Sequence, residues 1–235
     1  MPTDEVLRFG WAHAMARDAI HTPLDTAALE KSLRRHGWNV RQVRSRAPDR
    51  AVYLRRPDLG RMLDADDADS LREAGLQSDI CIVIGDGLSS LAVASHAAPL
   101  LEALKPHLGD ELQQTSVVIA SQARVALADD VAHALKARLA IMLIGERPGL
   151  SSPDSLGIYV THGPFAGRND AERNCISNIR PEGLSYAAAA FKLAWLVREA
   201  LRRRMTGVDL KDESDLALLK GVEIDLAQIT DSWTA

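Results

Sequence analysis

Glu146 stands where chemistry could happen. It follows six uninterrupted apolar residues, Leu139 to Ile144, and Gly145, and it precedes Arg147-Pro148-Gly149. A carboxylate at the point where a buried segment emerges can accept hydrogen bonds from a ligand. It can equally close the segment by pairing with Arg147 or another neighbour. Pro148 biases Arg147 toward an extended conformation, and Pro148-Gly149 suits the centre of a type II turn. A second acidic group, Asp86, lies inside Gly85-Asp86-Gly87-Leu88-Ser89-Ser90. Gly-x-Gly-x-x-Ser resembles a dinucleotide loop, but the third glycine is missing. A carboxylate there would also repel a pyrophosphate that needs bare backbone donors. Asp86 is therefore read either as a helix cap or as an acceptor for hydroxyls and amides of a less anionic ligand. Cys175 has Arg173 two residues before it, so thiolate chemistry is conceivable, although a structural or ligand-packing cysteine is the simpler reading. His13 and His21 have no acidic partner at ligand spacing, and neither cysteine has a neighbour suited to zinc. Ser89 and Ser90 do not meet the Gly-x-Ser-x-Gly pattern of a serine hydrolase.

These residues fall between periodic segments. A run such as Leu139 to Ile144 has no polar face, as expected for a central strand covered by helices on both sides. Asp79 to Ile84 and Val117 to Ala120 read as two earlier strands, and Leu156 to Thr161 as a fourth. Helices are expected over 89–105 and 129–136, and from about 185 to about 205, with Gly207 as the residue after the last helix end. A polar loop is expected over 169–180. Ahead of this alternation, residues 5–21 and 27–36 read as helices, with Thr3 and Asp25 or Thr26 as caps. Residues 38–57 read as two short extended pieces, and Asp64 to Asp69 as an acidic linker. The pattern predicts an α/β fold, a Rossmann-like and mostly parallel sheet with flanking helices, after a small, mainly helical N-terminal region. The expected divisions are residues 1–66, residues 67–207 and an acidic tail over 208–235.

Composition narrows the class. The chain has 235 residues, 46% hydrophobic and 26% charged, which is globular. Two cysteines and no apolar run of membrane length predict a cytoplasmic, reducing environment. Met1 to Glu5 carry no secretory pattern. Residues 1–62 hold twelve basic and seven acidic residues, a net of +5, and residues 208–235 hold two and seven, a net of −5. With aromatic residues at 4%, base-stacking platforms are scarce and a nucleic-acid partner is not expected.

Several longer stretches carry a resemblance. Ala12-His-Ala-Met-Ala-Arg-Asp-Ala-Ile-His-Thr-Pro-Leu-Asp25, Tyr53-Leu-Arg-Arg-Pro-Asp-Leu-Gly-Arg61, Asp86-Gly-Leu-Ser-Ser90, Gly145-Glu-Arg-Pro-Gly-Leu150 and Arg173-Asn-Cys-Ile-Ser-Asn-Ile-Arg180 occur in that order. Together they closely resemble the small subunit of ethanolamine ammonia-lyase. The resemblance implies an adenosylcobalamin-dependent radical lyase that converts ethanolamine to acetaldehyde and ammonia. It implies a large barrel subunit as partner, which holds the substrate and most catalytic groups, and a bacterial microcompartment as one setting. The small subunit would contact the large one through residues 1–66 and cover the lower side of the cobalamin. Val125, Glu146 and Cys175 match the family's cobalamin contacts. No catalytic residue and no protein metal ligand is implied on this chain. The alternative is a Rossmann-like nucleotide- or cofactor-binding module without lyase activity.

One further pattern bears on cobalt. A class of cobalamin domains supplies a histidine in Asp-x-His-x-x-Gly in place of the cofactor's own base. None of the seven histidines has aspartate two residues earlier. Base-on binding, with dimethylbenzimidazole still on cobalt, is therefore expected.

Overall fold

The computed structural model describes residues 2–75, 78–109 and 115–219. Its centre is a six-stranded sheet in the order β1-β3-β2-β4-β5-β6. The strands are β1 (Val40–Arg44), β2 (Ile80–Gly85), β3 (Ser116–Ser121), β4 (Leu139–Gly145), β5 (Leu156–His162) and β6 (Asn174–Ile179). The first four in that order run parallel, whereas β5 is antiparallel to β4 and β6 to β5. Parallel pairing needs a long crossover, which α6 (Ser90–Leu108) and α7 (Leu127–Ala134) provide. Only residues 146–155 separate β4 from β5, with no helix among them, so the chain returns antiparallel.

Every residue of β2 and of β4 is buried, as the unbroken apolar runs predicted. Alternate side chains serve opposite faces. Ile82, Ile84, Ile119 and Leu143 pack with α2 (Thr26–Arg35), α6 and α8 (Tyr186–Arg203). Val83, Val118, Ala140 and Met142 pack with α5 (Ala65–Glu73) and α7. Each fully buried Leu or Ile contributes roughly 1.5–3 kcal/mol, so the two cores hold the sheet between helical layers.

The N-terminal region is less separate than its composition implied. β1 pairs with β3 from Val40↔Val117 to Arg44↔Ser121 and forms one edge of the sheet. The second extended piece expected before residue 57 is instead α3 (Arg50–Arg55), nucleated by Asp49, whose side chain accepts from Val52 N. α4 (Pro57–Gly60) follows, with proline at its first position. The acidic linker is also helical. Asp64 caps α5, and Asp67 accepts from Arg44 N at 2.8 Å. α1 (Thr3–His21) is preceded by Pro2, not capped by Thr3, while Asp25 caps α2 as expected. α8 ends in a left-handed Arg204. Gly207, expected just after this helix end, lies three residues further on, where φ is positive and a Cβ would also fall 2.2 Å from Ala171 O.

The polar loop expected over 169–180 is half strand. β6 buries Ile176 and Ile179 and exposes the residues between, as an edge strand can. α9 (Ser214–Leu219) packs on α8. Residues 220–235 of the acidic tail lie outside the described residues. Among the described residues no helix is long and apolar enough to cross a membrane.

Candidate functional site

In the sheet the chain leaves β2 for β3 on one side and leaves β4 for β5 on the other. The exit loops of β2 and β4 therefore diverge, which is the switch point where open α/β sheets hold ligands. A cavity of about 340 Å³ lies there. Its lining comes from the β2 exit (Gly87, Leu88), the β3 exit (Arg124, Val125), the β4 exit (Gly145, Glu146) and Tyr53 of α3.

Glycines make this convergence possible. A Cβ on Gly87 would fall 2.2 Å from Gly145 O, and one on Gly145 would fall 1.9 Å from Ser89 O. Leu88 N donates to Gly145 O at 3.0 Å. The glycine loop after β2 is thus filled by backbone from β4 and presents no open cradle for a pyrophosphate. Asp86 is not a helix cap, since Ser89 caps α6 by accepting from Ala92 N. Asp86 is buried and accepts from Gln122 N and Ala123 N, both at 2.9 Å, with Arg50 Nη1 at 3.4 Å. Burial pushes its carboxyl up, against the pull of those donors. Its work is to hold the β3 exit beside the β2 exit.

Glu146 does not pair with Arg147. Ser177 Oγ donates to its Oε1 at 2.5 Å, Ser155 Oγ donates to Oε2, and Asn178 N reaches Oε2 at 3.4 Å. The carboxylate therefore ties the β4 exit to β6. A carboxylate has about four lone-pair positions, so one on Oε1 remains. The type II turn expected at Pro148-Gly149 is absent. Gly149 has no positive φ, and the turn closes by reciprocal hydrogen bonds between Gly149 and Ser152.

Val125 and Glu146 both line the cavity. Cys175 does not. It is exposed on β6, opposite Tyr159 in register and 3.7 Å from Ser177 Oγ. Tyr159 joins it to the cavity, because the ring lines the wall. Burial, then the Cys175 thiol and Glu146, push the Tyr159 phenol above its usual range, so it stays protonated as a donor.

Pattern reading missed the basic wall. Tyr53 is fully buried, and its hydroxyl donates to Ala123 O at 3.1 Å. Arg50 lies over its ring at 4.7 Å and Arg124 at 4.4 Å. Burial pushes the phenol up to about 12 despite both guanidinium groups. Arg124 Nε, Arg50 Nη2 and Gln122 Oε1 are buried with no hydrogen-bond partner among the described residues. Of these residues Arg124 lines the cavity, and an orphaned donor there marks a group that a ligand would satisfy. Of these residues, Tyr53 opens the Tyr53-Leu-Arg-Arg-Pro stretch that carried part of the resemblance. None of the seven histidines lines this cavity, and among the described residues no cluster could hold a metal ion.

Comparison with known proteins agrees with the earlier resemblance. The family model described as Ethanolamine ammonia-lyase light chain (EutC) matches residues 1–211. The chain is 54% identical to the ethanolamine ammonia-lyase small subunit of Azotobacter vinelandii, over 94% of this chain and 84% of that one. It is 51% identical to that of Pseudomonas aeruginosa strain UCBPP-PA14, over 94% and 83%. Against that of Bradyrhizobium diazoefficiens it is 54% identical over 91% and 83%.

Proposed function

This chain belongs to the ethanolamine ammonia-lyase light-chain family, and on that premise we propose that it serves as the small subunit of a hetero-oligomeric ammonia-lyase and covers the lower face of base-on adenosylcobalamin. The observation that carries the cofactor reading is the cavity at the switch point, where Val125 and Glu146 meet beside the unpartnered Nε of Arg124. Cobalamin offers amides, hydroxyls and a phosphodiester, so the residues present fit it. The bound cofactor supplies the radical chemistry that turns ethanolamine into acetaldehyde and ammonia.

This chain's own groups bind and orient. The remaining Glu146 lone pair accepts from an amide or hydroxyl. Arg124 donates to amide or phosphate oxygens, Val125 packs against the apolar base, and Cys175 contacts the rim beside Tyr159. None of the seven histidines lines the cavity, which supports the base-on reading. A filled glycine loop after β2 argues against the alternative of a dinucleotide-binding module.

A cavity of about 340 Å³ is at the small end of ligand sites and takes only one edge of a corrinoid. The rest must be covered by another surface, which supports a large-subunit partner that also holds ethanolamine. α1 offers a contact for it. Val6, Leu7, Phe9 and Trp11 are 50–71% exposed and lie on different sides of the helix. Exposed aliphatic and aromatic side chains gathered in this way suit a surface that a partner covers.

Reconstitution tests the proposal. The chain with its large subunit and adenosylcobalamin should convert ethanolamine, and the chain alone should not. In the reconstituted enzyme, electron paramagnetic resonance of the cobalt(II) form should be unchanged when protein histidine carries heavy nitrogen. Activity of the chain alone would refute the subunit role. A superhyperfine pattern that shifts on labelling would refute base-on binding.

A further inference from the structure

Resting on the cofactor reading above, we propose that Arg173 and Asp129 are positioning residues for the switch-point cavity, their buried ion pair fixing Cys175 on β6 against the segment that carries Val125. Neither residue lines the cavity. Arg173 is extended, at φ −115 and ψ 140, and leads straight into β6. Side chains alternate along an extended chain, so Arg173, Cys175 and Ser177 share one face of the strand and Ile176 takes the other. Ile176 packs in the core under α8. The shared face is the α7 side, where Val125 and Tyr159, the residue opposite Cys175, also pack.

Both neighbours of Cys175 on that face are tied. Ser177 Oγ donates to Glu146 at the β4 exit. Arg173 Nη1 donates to Asp129 Oδ1 at 2.8 Å and to Thr161 Oγ1 of β5 at 2.9 Å, and its Nη2 donates to Arg168 O at 3.0 Å. Its Nε faces the exposed Asp170 at 3.4 Å. The side chains of Arg173 and Asp129 are each 1% exposed. Asp129 lies in the first turn of α7, four residues after Val125, and Ala128 N beside it donates to Val125 O at 3.2 Å. One ion pair therefore joins the strand of Cys175 to the β3 exit, across residues 44 apart in the chain.

β6 needs such a tie. It is an edge strand with a single neighbour, and only Ile176 and Ile179 of its six residues are buried. Stability does not account for the pair. Replacing a buried ion pair by apolar groups of similar volume is often neutral or stabilising, whereas removing one partner leaves an uncompensated buried charge. What a guanidinium bonded through its planar fork adds is a fixed geometry. That fork serves Asp129, Thr161 and Arg168, not the Cys175 thiol.

Spectrophotometric titration of the assembled enzyme with cobalamin tests this. Asp129→Leu/Arg173→Met removes both charges together. We expect it to weaken cobalamin binding about 3- to 30-fold, while kcat at saturating cobalamin, subunit assembly and melting temperature are retained. Arg173→Lys leaves no charge unpaired but lacks the fork, so it assembles even where the double variant does not, and affinity should fall about threefold. In a Cys175→Ala background the double substitution should cost less, because the contact it positions is gone. A pair that only stabilised the fold would lower the melting temperature and leave the affinity of the folded enzyme unchanged. Undiminished affinity in either variant, or an equal loss with and without Cys175, would overturn the positioning role. If Val125→Trp still weakens binding in that case, the cofactor reading stands. Affinity unchanged by Val125→Trp and by Cys175→Ala would overturn the cofactor reading, and the positioning role with it.

Discussion

Glu146 uses three of its lone-pair positions on Ser155, Ser177 and Asn178, which leaves one on Oε1 of a residue that lines the cavity. Glutamine at this position has a single acceptor oxygen, so it cannot hold Ser177 and Ser155 and also serve the ligand. Glu146→Gln should therefore weaken cobalamin binding to the assembled enzyme by roughly 5- to 150-fold, equivalent to about 1–3 kcal/mol, with the fold intact. Spectrophotometric titration of the cofactor measures it. Unchanged affinity would leave Glu146 as a tie between β4 and β6 only. The position of Glu146 was legible because an apolar run ended on it. Its partners were not, because Ser155 and Ser177 come from segments 9 and 31 residues away that only the fold brings near. Arg50 and Arg124 were invisible for the same reason. One basic residue among many carries no mark of burial until Tyr53 is seen between two of them.

α8 shows how an element's end depends on charge. Glu199 is nearly buried, and Arg202 Nη2 and Arg203 Nε reach its Oε2 at 2.6 Å and 2.8 Å. Burial alone would raise its carboxyl pKa, but the two guanidinium groups prevail and hold it below the usual value. The unfolded chain then binds the proton more readily than the folded one. The stabilisation is present above the unfolded value of about 4.5 and disappears as pH falls through the lower folded value. Glu199→Gln should thus lower the urea midpoint at pH 7, and the gap to the unsubstituted protein should close toward pH 4. A gap independent of pH would show that packing, not charge, is at work. Helices and strands with unbroken apolar faces, such as β2, β4 and α8, were readable from the chain. β6 was not, because an edge strand needs only Ile176 and Ile179 inside and leaves Asn174, Cys175, Ser177 and Asn178 to look like a loop. α5 was hidden by its own cap, since Asp64 followed by Asp66 and Asp67 resembles a charged linker until Asp64 is seen to start a helix.

At the scale of the molecule, strand exits gather the cavity of Val125 and Glu146 at one pole, and among the described residues the first half of α1 is left uncovered. The sequence divided at residue 66 by composition, yet β1 enters the sheet, so the N-terminal region is joined to the core by a strand ladder. Phe9 and Trp11 of α1 are exposed, and a stable interface of the kind proposed for them buries well above about 1,000 Å². The central claim is that the partner and this chain enclose cobalamin at the switch-point cavity. Its most direct test is the dissociation constant of cobalamin from the assembled enzyme carrying Val125→Trp. A ring in place of the isopropyl group fills the cavity at its β3 wall, so affinity should fall by about tenfold or more while subunit assembly and melting temperature are retained. Cobalamin bound with undiminished affinity to a fully assembled Val125→Trp enzyme would contradict the account.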